Sequence, residues 1–296
     1  MRRRQAALPG TVLQAHRVTE HLVRVVLGGP GLAAFEPSVH ADSYVKLAFC
    51  APGPRPLDED GRVDLTAVRD ALGPDAVRLR AYTVRDARDG EVTLDVVVHG
   101  DEGLAGPWAA RLADGRPREE DLEALVLGPG GAWSPVGTGP RAGAGTSADT
   151  AAAEDAPVAT VLVGDASALP AVAVCLERMP ADATGVALVE VAGPADRLPL
   201  TAPAGVEVRW VEAAGAPGDA LVAAVRELAW PAGRVEAFVH GEAQAVRALR
   251  RHVRAERGVR REDLSASGYW RQGVDDEGWR AQKRDWVAAV EADDAG

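Results

Sequence analysis

Short apolar runs rich in β-branched residues occupy residues 11–16, 21–27, 43–49, 76–84, 91–98 and 121–127 of the first half of the chain. Each has the length of a strand, and turn clusters such as Gly28-Gly29-Pro30-Gly31 bound them. Closely spaced strands of this kind predict an antiparallel β-barrel. Residues 103–112 are the one helical pattern among them. After a stretch at 137–156 with no apolar side chain larger than alanine, the rhythm changes. Val158-Ala159-Thr160-Val161-Leu162-Val163 is continuously apolar, as a parallel strand covered on both faces must be. Further strands are expected at 186–191, 206–211 and 235–239, with helices at 168–179, 217–229 and 242–256 between them. That alternation predicts a small α/β domain with a parallel sheet. The expected organisation is a barrel at 1–136, a linker at 137–156 that cannot offset its own ordering entropy, and the α/β domain at 157–296.

A length of 296 residues agrees with two domains, and 47% hydrophobic with 26% charged residues is ordinary globular composition. No apolar run approaches the roughly 18 residues of a membrane helix, and the basic start Met1-Arg2-Arg3-Arg4 is followed by Gln5, Pro9 and Gly10 rather than by an apolar signal core. A soluble, cytoplasmic monomer without stable membrane insertion is expected. The net charge of −11, from 33 basic and 44 acidic residues, argues against a nucleic-acid partner. Cys50 and Cys175 lie in no metal-ligand spacing and read as reduced thiols. The positive charge is nearly all arginine, Lys46 and Lys283 being the lysines, and arginine suits fixed contacts to carboxylates and phosphates.

Four segments carry candidate chemistry. Arg80-Ala81-Tyr82-Thr83-Val84-Arg85 ends a barrel strand; alternation puts Arg80 and Tyr82 on one side and Thr83 on the other, which serves a planar ring system with anionic groups or, equally, an edge strand with exposed arginines. The segment from Val98, His99 and Gly100 through Gly103 to Trp108 and Ala109 joins a strand to a helix, where glycines admit an anion to backbone N–H groups or simply make a turn. Gly164-Asp165-Ala166-Ser167-Ala168-Leu169-Pro170 stands at the carboxyl end of the first parallel strand, a nucleotide position without the usual glycine spacing, and also a capped helix start. Near the end, Val246, Leu249 and Val253 face the core and leave Arg247, Arg250 and Arg254 as a basic stripe, ahead of Gly268-Tyr269-Trp270-Arg271-Gln272-Gly273.

In this order the segments closely resemble the siderophore-interacting protein family, flavin-dependent ferric-siderophore reductases of the ferredoxin-reductase-like superfamily. The family's RxYTxR is here Arg80 to Arg85, its HG…GPxxxWA runs from His99-Gly100 to Trp108-Ala109, and its GPGG is Gly128-Pro129-Gly130-Gly131. Its GDxxALPA is Gly164 to Ala171, and its closing pattern matches Gly241-Glu242, Ala245-Val246-Arg247, Arg250, Glu256-Arg257-Gly258 and Gly268 to Gly273. The resemblance spans nearly the whole chain. It implies a barrel that binds FAD, with Tyr82 near the isoalloxazine, Thr83 at its reactive edge and Arg80 on its anionic part; Val98, His99, Gly100 and the loop from Gly103 to Trp108 and Ala109 hold the diphosphate and adenosine side. Gly164, Asp165, Ala168, Leu169 and Pro170 are implied to line the nicotinamide nucleotide site, and Tyr269 and Trp270 to close over the flavin. Leu104 and Gly106 depart from the family's diphosphate loop, so one side-chain contact is lost while backbone donors remain.

The implied activity is FAD-dependent, NAD(P)H-driven reduction of a ferric siderophore, a route to iron acquisition that needs no general base, so none of the six histidines is expected to be catalytic. Arg197 suits the 2′-phosphate of NADPH and Glu190 a ribose diol of NADH; NADPH is expected. Lys46 with Arg247 or Arg250 is the expected basic pocket for an anionic ferric siderophore. No metal site is expected. Two other readings stand beside this one: a flavin reductase that serves a partner oxygenase, and a ferric-chelate-binding protein without turnover.

Overall fold

The computed structural model describes residues 5–101, 103–138 and 158–293. The chain divides into two compact units, Met1–Gly131 and Ala132–Gly296. Most of the stretch read as a linker, from residue 139 on, lies outside the described residues.

In the first unit, alternate side chains turn inward and bury completely: Val23, Val25 and Leu27 of β2 (Leu22–Gly28) and Val92, Leu94 and Val96 of β6 (Glu91–Val97) are all at 0% exposure. With β1 (Ala6–Arg17), β3 (Tyr44–Cys50), β5 (Val77–Arg88) and β7 (Glu123–Gly130) they pair antiparallel in the cyclic order β1-β2-β6-β5-β3-β7-β1. The sheet therefore closes on itself and these strands leave no free edge. α2 (Ala105–Ala113) packs on this core through Trp108, Ala109 and Leu112.

Between β3 and β5, part of residues 54–74 also folds. β4 (Val63–Asp64) pairs with the start of β1, and α1 (Leu65–Leu72) follows directly. The Asp64 carboxylate caps α1 by accepting from Thr66 N at 2.9 Å and Ala67 N at 3.0 Å. Leu65 and Val68 then join Ala7, Leu79 and Leu125 in a second small core outside the barrel.

The second unit is a parallel sheet in the order β10-β9-β8-β11-β12, formed by β8 (Val158–Gly164), β9 (Thr184–Val191), β10 (Gly205–Glu212), β11 (Arg234–Glu242) and β12 (Leu264–Trp270). Val161, Leu162 and Val163 are at 0% exposure, which explains the unbroken apolar run of β8. Gly185 is required where β9 meets β8, because at its φ of +156° a Cβ would stand 2.0 Å from the Thr160 carbonyl oxygen. The helices are α3 (Leu169–Arg178), α4 (Asp219–Arg226), α5 (Ala243–Arg251) and α6 (Asp276–Asp293), and a π-helical turn (His252–Glu256) extends α5. Val246, Leu249 and Val253 are buried as their spacing requires. Strand β12 and helix α6 are additions to the sequence reading. α6 sets Trp279, Trp286 and Val290 into the core beneath α5 and β11. Among the described residues no helix is long and apolar enough to cross a membrane.

Candidate cofactor and substrate sites

In the barrel, strand register decides which way the Arg80–Arg85 segment faces. Arg80 pairs with Leu47 and Tyr82 with Val45, both inward positions, whereas Ala81 pairs with Lys46 and Thr83 with Tyr44. Tyr82 is half-buried and packs against the barrel core, and Thr83 is buried on the other face. Arg80 is half-buried and donates from Nη1 to the Leu79 carbonyl oxygen at 3.1 Å. Lys46 thus shares the outer face with Tyr44 and Thr83. Next to them runs Gly128 to Gly131: a Cβ on Gly130 would strike the Tyr44 ring at 2.5 Å, so the glycine is what lets that ring lie on β7.

At the end of β6, His99 and Gly100 are exposed, and Glu102 lies outside the described residues. Gly100 and Gly103 take φ of +62° and +82°, and nothing stands within 4 Å of where a Cβ would be. α2 starts at Ala105, and its N-cap residue Leu104 provides no side-chain cap. A glycine-lined turn that delivers the chain to an uncapped helix start leaves backbone donors directed at an approaching anion. Trp108 has a different part from the one the resemblance implied. Its ring is 4% exposed, meets Phe49 edge-on at 5.6 Å, and donates Nε1–H to the Asp121 carbonyl oxygen at 2.9 Å. It is a core residue that fixes α2, and Ala109 behind it is fully buried.

In the second unit the candidates gather at the carboxyl edge of the sheet. Asp165 follows β8, and its carboxylate joins three strands: Oδ1 accepts from Ser167 N at 2.9 Å and from Ser167 Oγ, and Oδ2 accepts from Glu242 N at 2.8 Å and Trp270 Nε1 at 2.8 Å. Burial pushes its pKa above the ordinary aspartate value, and these hydrogen bonds act in the opposite direction. Ala168, Leu169 and Pro170 are buried at the start of α3 and serve packing. Gly164 is likewise buried, and a Cβ there would meet Ala168 Cβ at 2.6 Å.

Tyr269 and Trp270 end β12. The Trp270 ring is 36% exposed but tethered by its N–H to Asp165. Tyr269 is tied to His240, whose Nδ1 lies 2.9 Å from the tyrosine hydroxyl and whose Nε2 lies 2.9 Å from Ser265 Oγ. Burial, with the Lys283 ammonium adding to it, lowers the His240 pKa to about 3, so the ring is neutral. Phe238 stacks on that ring at 3.7 Å. Sequence reasoning missed both tethers.

Several candidate polar residues prove to be engaged elsewhere. Glu190 is 6% exposed and accepts from Gly218 N at 2.9 Å and Leu221 N at 3.1 Å, so it holds the start of α4 instead of offering its oxygens to a ribose. Burial raises its pKa as well. Arg197 pairs with Glu212 at 2.8 Å, and Arg247 makes a two-point contact with Asp293 at 2.6 and 2.9 Å. Arg254 donates to the Val259 carbonyl oxygen at 2.7 Å. Arg250 stays half-buried on α5. The basic stripe is therefore largely tied into the fold. Among the described residues no group of three His, Cys, Asp or Glu is placed to hold a metal ion.

Residues 11–133 match the siderophore-interacting FAD-binding domain, and residues 158–273 match the siderophore-interacting protein domain. An uncharacterised protein of Mycobacterium tuberculosis is 42% identical over 94% of this chain and 95% of its own length. The ferric vibriobactin reductase ViuB of Vibrio cholerae is 29% identical over 90% of each chain. A siderophore utilization protein from T. fusca superposes with a TM-score of 0.69 at 32% identity, covering 92% of this chain and 98% of that one. The fold alone is shared with a ferredoxin NADP+ reductase from Neisseria gonorrhoeae with bound FAD and NADP, at a TM-score of 0.52 and 14% identity over 88% of this chain and 98% of that one. With a closed barrel that carries the flavin-domain segments and a parallel sheet that carries the rest, in one order along one chain, the protein belongs to the siderophore-interacting protein family.

Proposed function

We propose that this protein is an FAD-dependent reductase that takes electrons from NAD(P)H, passes them to a ferric siderophore and so frees ferrous iron in the cytoplasm. The observation that carries this reading is the flavin-domain barrel with its uncapped α2, in a chain related along most of its length to a ferric vibriobactin reductase. The residues fit FAD: Gly100 and Gly103 have open space where side chains would stand, and the N-terminus of α2 has no capping side chain of its own to displace. FAD, when bound, supplies the conversion between a two-electron donor and a one-electron acceptor.

The barrel residues then have separable tasks. Backbone N–H groups at the start of α2 and the turn from His99 to Gly103 hold the diphosphate. Arg80 neutralises charge, Tyr82 offers an aromatic face, and the Thr83 hydroxyl sits beside it on the opposite side of the strand. Lys46 on the outer face of β3 attracts an anionic ferric siderophore, and with Arg247 committed to Asp293 it carries most of that task. Divalent iron is softer than trivalent iron and is held less strongly by hydroxamate or catecholate oxygens, so reduction alone loosens it.

The test is to supplement the purified protein with FAD, add NADPH or NADH without oxygen, and follow the visible flavin bands. Bleaching, followed by return of colour and formation of a ferrous-chelator complex on addition of a ferric siderophore, is the expected result. Failure to bind FAD overturns the reading at its first step, and bleaching that no ferric chelate reverses overturns the acceptor. Lys46→Glu is expected to raise KM for an anionic ferric siderophore roughly tenfold while the rate of flavin bleaching stays as in the parent. An unchanged KM removes Lys46 from the substrate site.

A further inference from the structure

We infer that Glu212 sets this protein's choice between NADPH and NADH, by holding Arg197 when the ribose 2′-position carries a hydroxyl and by losing it to a 2′-phosphate when one is present. The inference rests on the reading above that the electron donor is a reduced nicotinamide dinucleotide.

The fold puts both residues where that choice is made. In an open parallel sheet a dinucleotide lies across the carboxyl ends of the strands, with its diphosphate on the helix after the first strand. Its adenosine ribose then comes to the end of the next strand, where a carboxylate meets the 2′-hydroxyl or an arginine meets the 2′-phosphate. Here the helix after β8 is α3, which starts without a capping side chain, and the next strand is β9. β9 ends at Val191 and runs parallel to β10, whose last residue, Glu212, pairs with Val191. Ala213 N donates to the Val191 carbonyl oxygen at 2.9 Å and carries that pairing past the end of β10. Beyond β9 the chain passes Gly193, where nothing stands within 4 Å of a Cβ position, makes a short turn (Pro194–Asp196) and presents Arg197. Arg197 Nη2 donates to Glu212 Oε1 at 2.8 Å.

The neighbouring charges are committed elsewhere. Glu190, the acid on β9 itself, is buried and held by Gly218 N and Leu221 N. Arg209 of β10 makes a two-point contact with Glu207 at 2.7 Å, and alternation turns it to the face opposite Glu212. The side chains of Arg197 and Glu212, by contrast, are 43% and 53% exposed. An ion pair this open to water is weak, so a ligand can part it. A 2′-phosphate brings roughly two negative charges and several oxygens to the planar guanidinium, and it displaces a single carboxylate oxygen. Once Arg197 has turned to the phosphate, however, the Glu212 carboxylate is left beside a dianion, and that repulsion opposes NADPH. NADH leaves the ion pair intact and offers its 2′-hydroxyl as a donor to the same carboxylate. The two effects offset, and the parent protein discriminates between the nucleotides by less than about tenfold.

The experiment compares the full-length, FAD-loaded parent with Glu212→Gln and Arg197→Gln. The rate of anaerobic flavin bleaching is followed against NADPH and NADH concentration, and the Kd of 2′,5′-ADP is measured by calorimetry alongside. Glu212→Gln is expected to raise the preference for NADPH over NADH about tenfold, through tighter NADPH binding at an unchanged limiting rate, and to bind 2′,5′-ADP about tenfold more tightly. Arg197→Gln is expected to lower the preference about tenfold. A general loosening of the turn would change both donors alike. A preference that Glu212→Gln leaves within about twofold of the parent, or a change shared equally by the two donors, overturns the inference and leaves the proposed function standing. If neither nucleotide bleaches the flavin of the parent but dithionite does, and a ferric siderophore then restores the colour, the nicotinamide donor itself is wrong and the inference falls with it.

Discussion

Replacing His240 with glutamine is expected to flatten the acid sensitivity of the α/β unit. Burial and the nearby Lys283 ammonium hold the folded-state pKa of His240 at about 3, against 6.5 for the ordinary side chain. Between these values the unfolded chain binds a proton that the folded chain does not. The stability contributed by the neutral ring is therefore complete above pH 6.5 and falls as pH drops toward 3. The slope is about 1.4 kcal/mol for each pH unit, so a descent of roughly two units below the ordinary value costs the parent protein about 3 kcal/mol from this residue alone. Glutamine keeps one donor and one acceptor for the Tyr269 hydroxyl and Ser265, and takes up no proton in this range. It also loses the stacked contact with Phe238, so the variant starts from a lower stability at neutral pH. Urea unfolding followed by tryptophan fluorescence from about pH 4.5 to about pH 7.5 reads both effects. The two stability curves should converge as pH falls; parallel curves would show that His240 takes up its proton in the folded state.

The elements most legible in the sequence are those whose side chains obey one environment along their whole length. β2 and β6 alternate because one face lines the barrel, and β8 is continuously apolar because helices cover both faces. β12 escapes that reading. Leu264-Ser-Ala-Ser-Gly-Tyr-Trp270 is an edge strand, mostly half-buried, with no β-branched residue. α6 escapes for the opposite reason: only Trp279, Trp286 and Val290 are buried among many charged residues, too sparse a set to show a helical period. For the candidate site, the segments themselves were legible, and so was the place of three of them at strand ends; Arg80–Arg85, expected to end a strand, lies inside β5, which continues to Arg88 because Val84 to Arg88 go on to pair with β6. The commitments of their side chains were not legible. Asp165 and Trp270 are separated by 105 positions, Arg247 and Asp293 by 46, and Glu190 and Gly218 by 28, so no local pattern reports them. A carboxylate in a glycine-rich turn reads as a ligand for something outside the chain until the fold supplies the N–H groups that use it.

Trp279→Ala is expected to cost about 3–5 kcal/mol, among the largest single losses available in the α/β unit, because it empties a fully enclosed indole site. Trp279 is 2% exposed, meets Trp286 at 5.6 Å with the rings 73° apart, and lies in the same core as Val246 and Leu249 of α5. Its neighbour on β12 supplies a control that reads geometry as well as stability. A Cβ on Gly268 would stand 3.0 Å from Trp279 Cζ2 and 3.2 Å from Ala243, so Gly268→Ala overpacks this contact and should cost about 1–3 kcal/mol alone. Once Trp279 is alanine, the added methyl enters vacated space and only the contact with Ala243 remains tight. The double variant should therefore be more stable than the sum of the singles by about 1–2 kcal/mol. Thermal or urea unfolding of the four proteins closes the cycle, and additive costs would mean that Trp279 does not sit on Gly268. The result bears on more than packing. α6 lies beyond residues 158–273, where the family domain is matched, yet it covers the strand that ends in Tyr269 and Trp270. A loss of this size on removing one indole would make α6 part of what holds that aromatic pair in place.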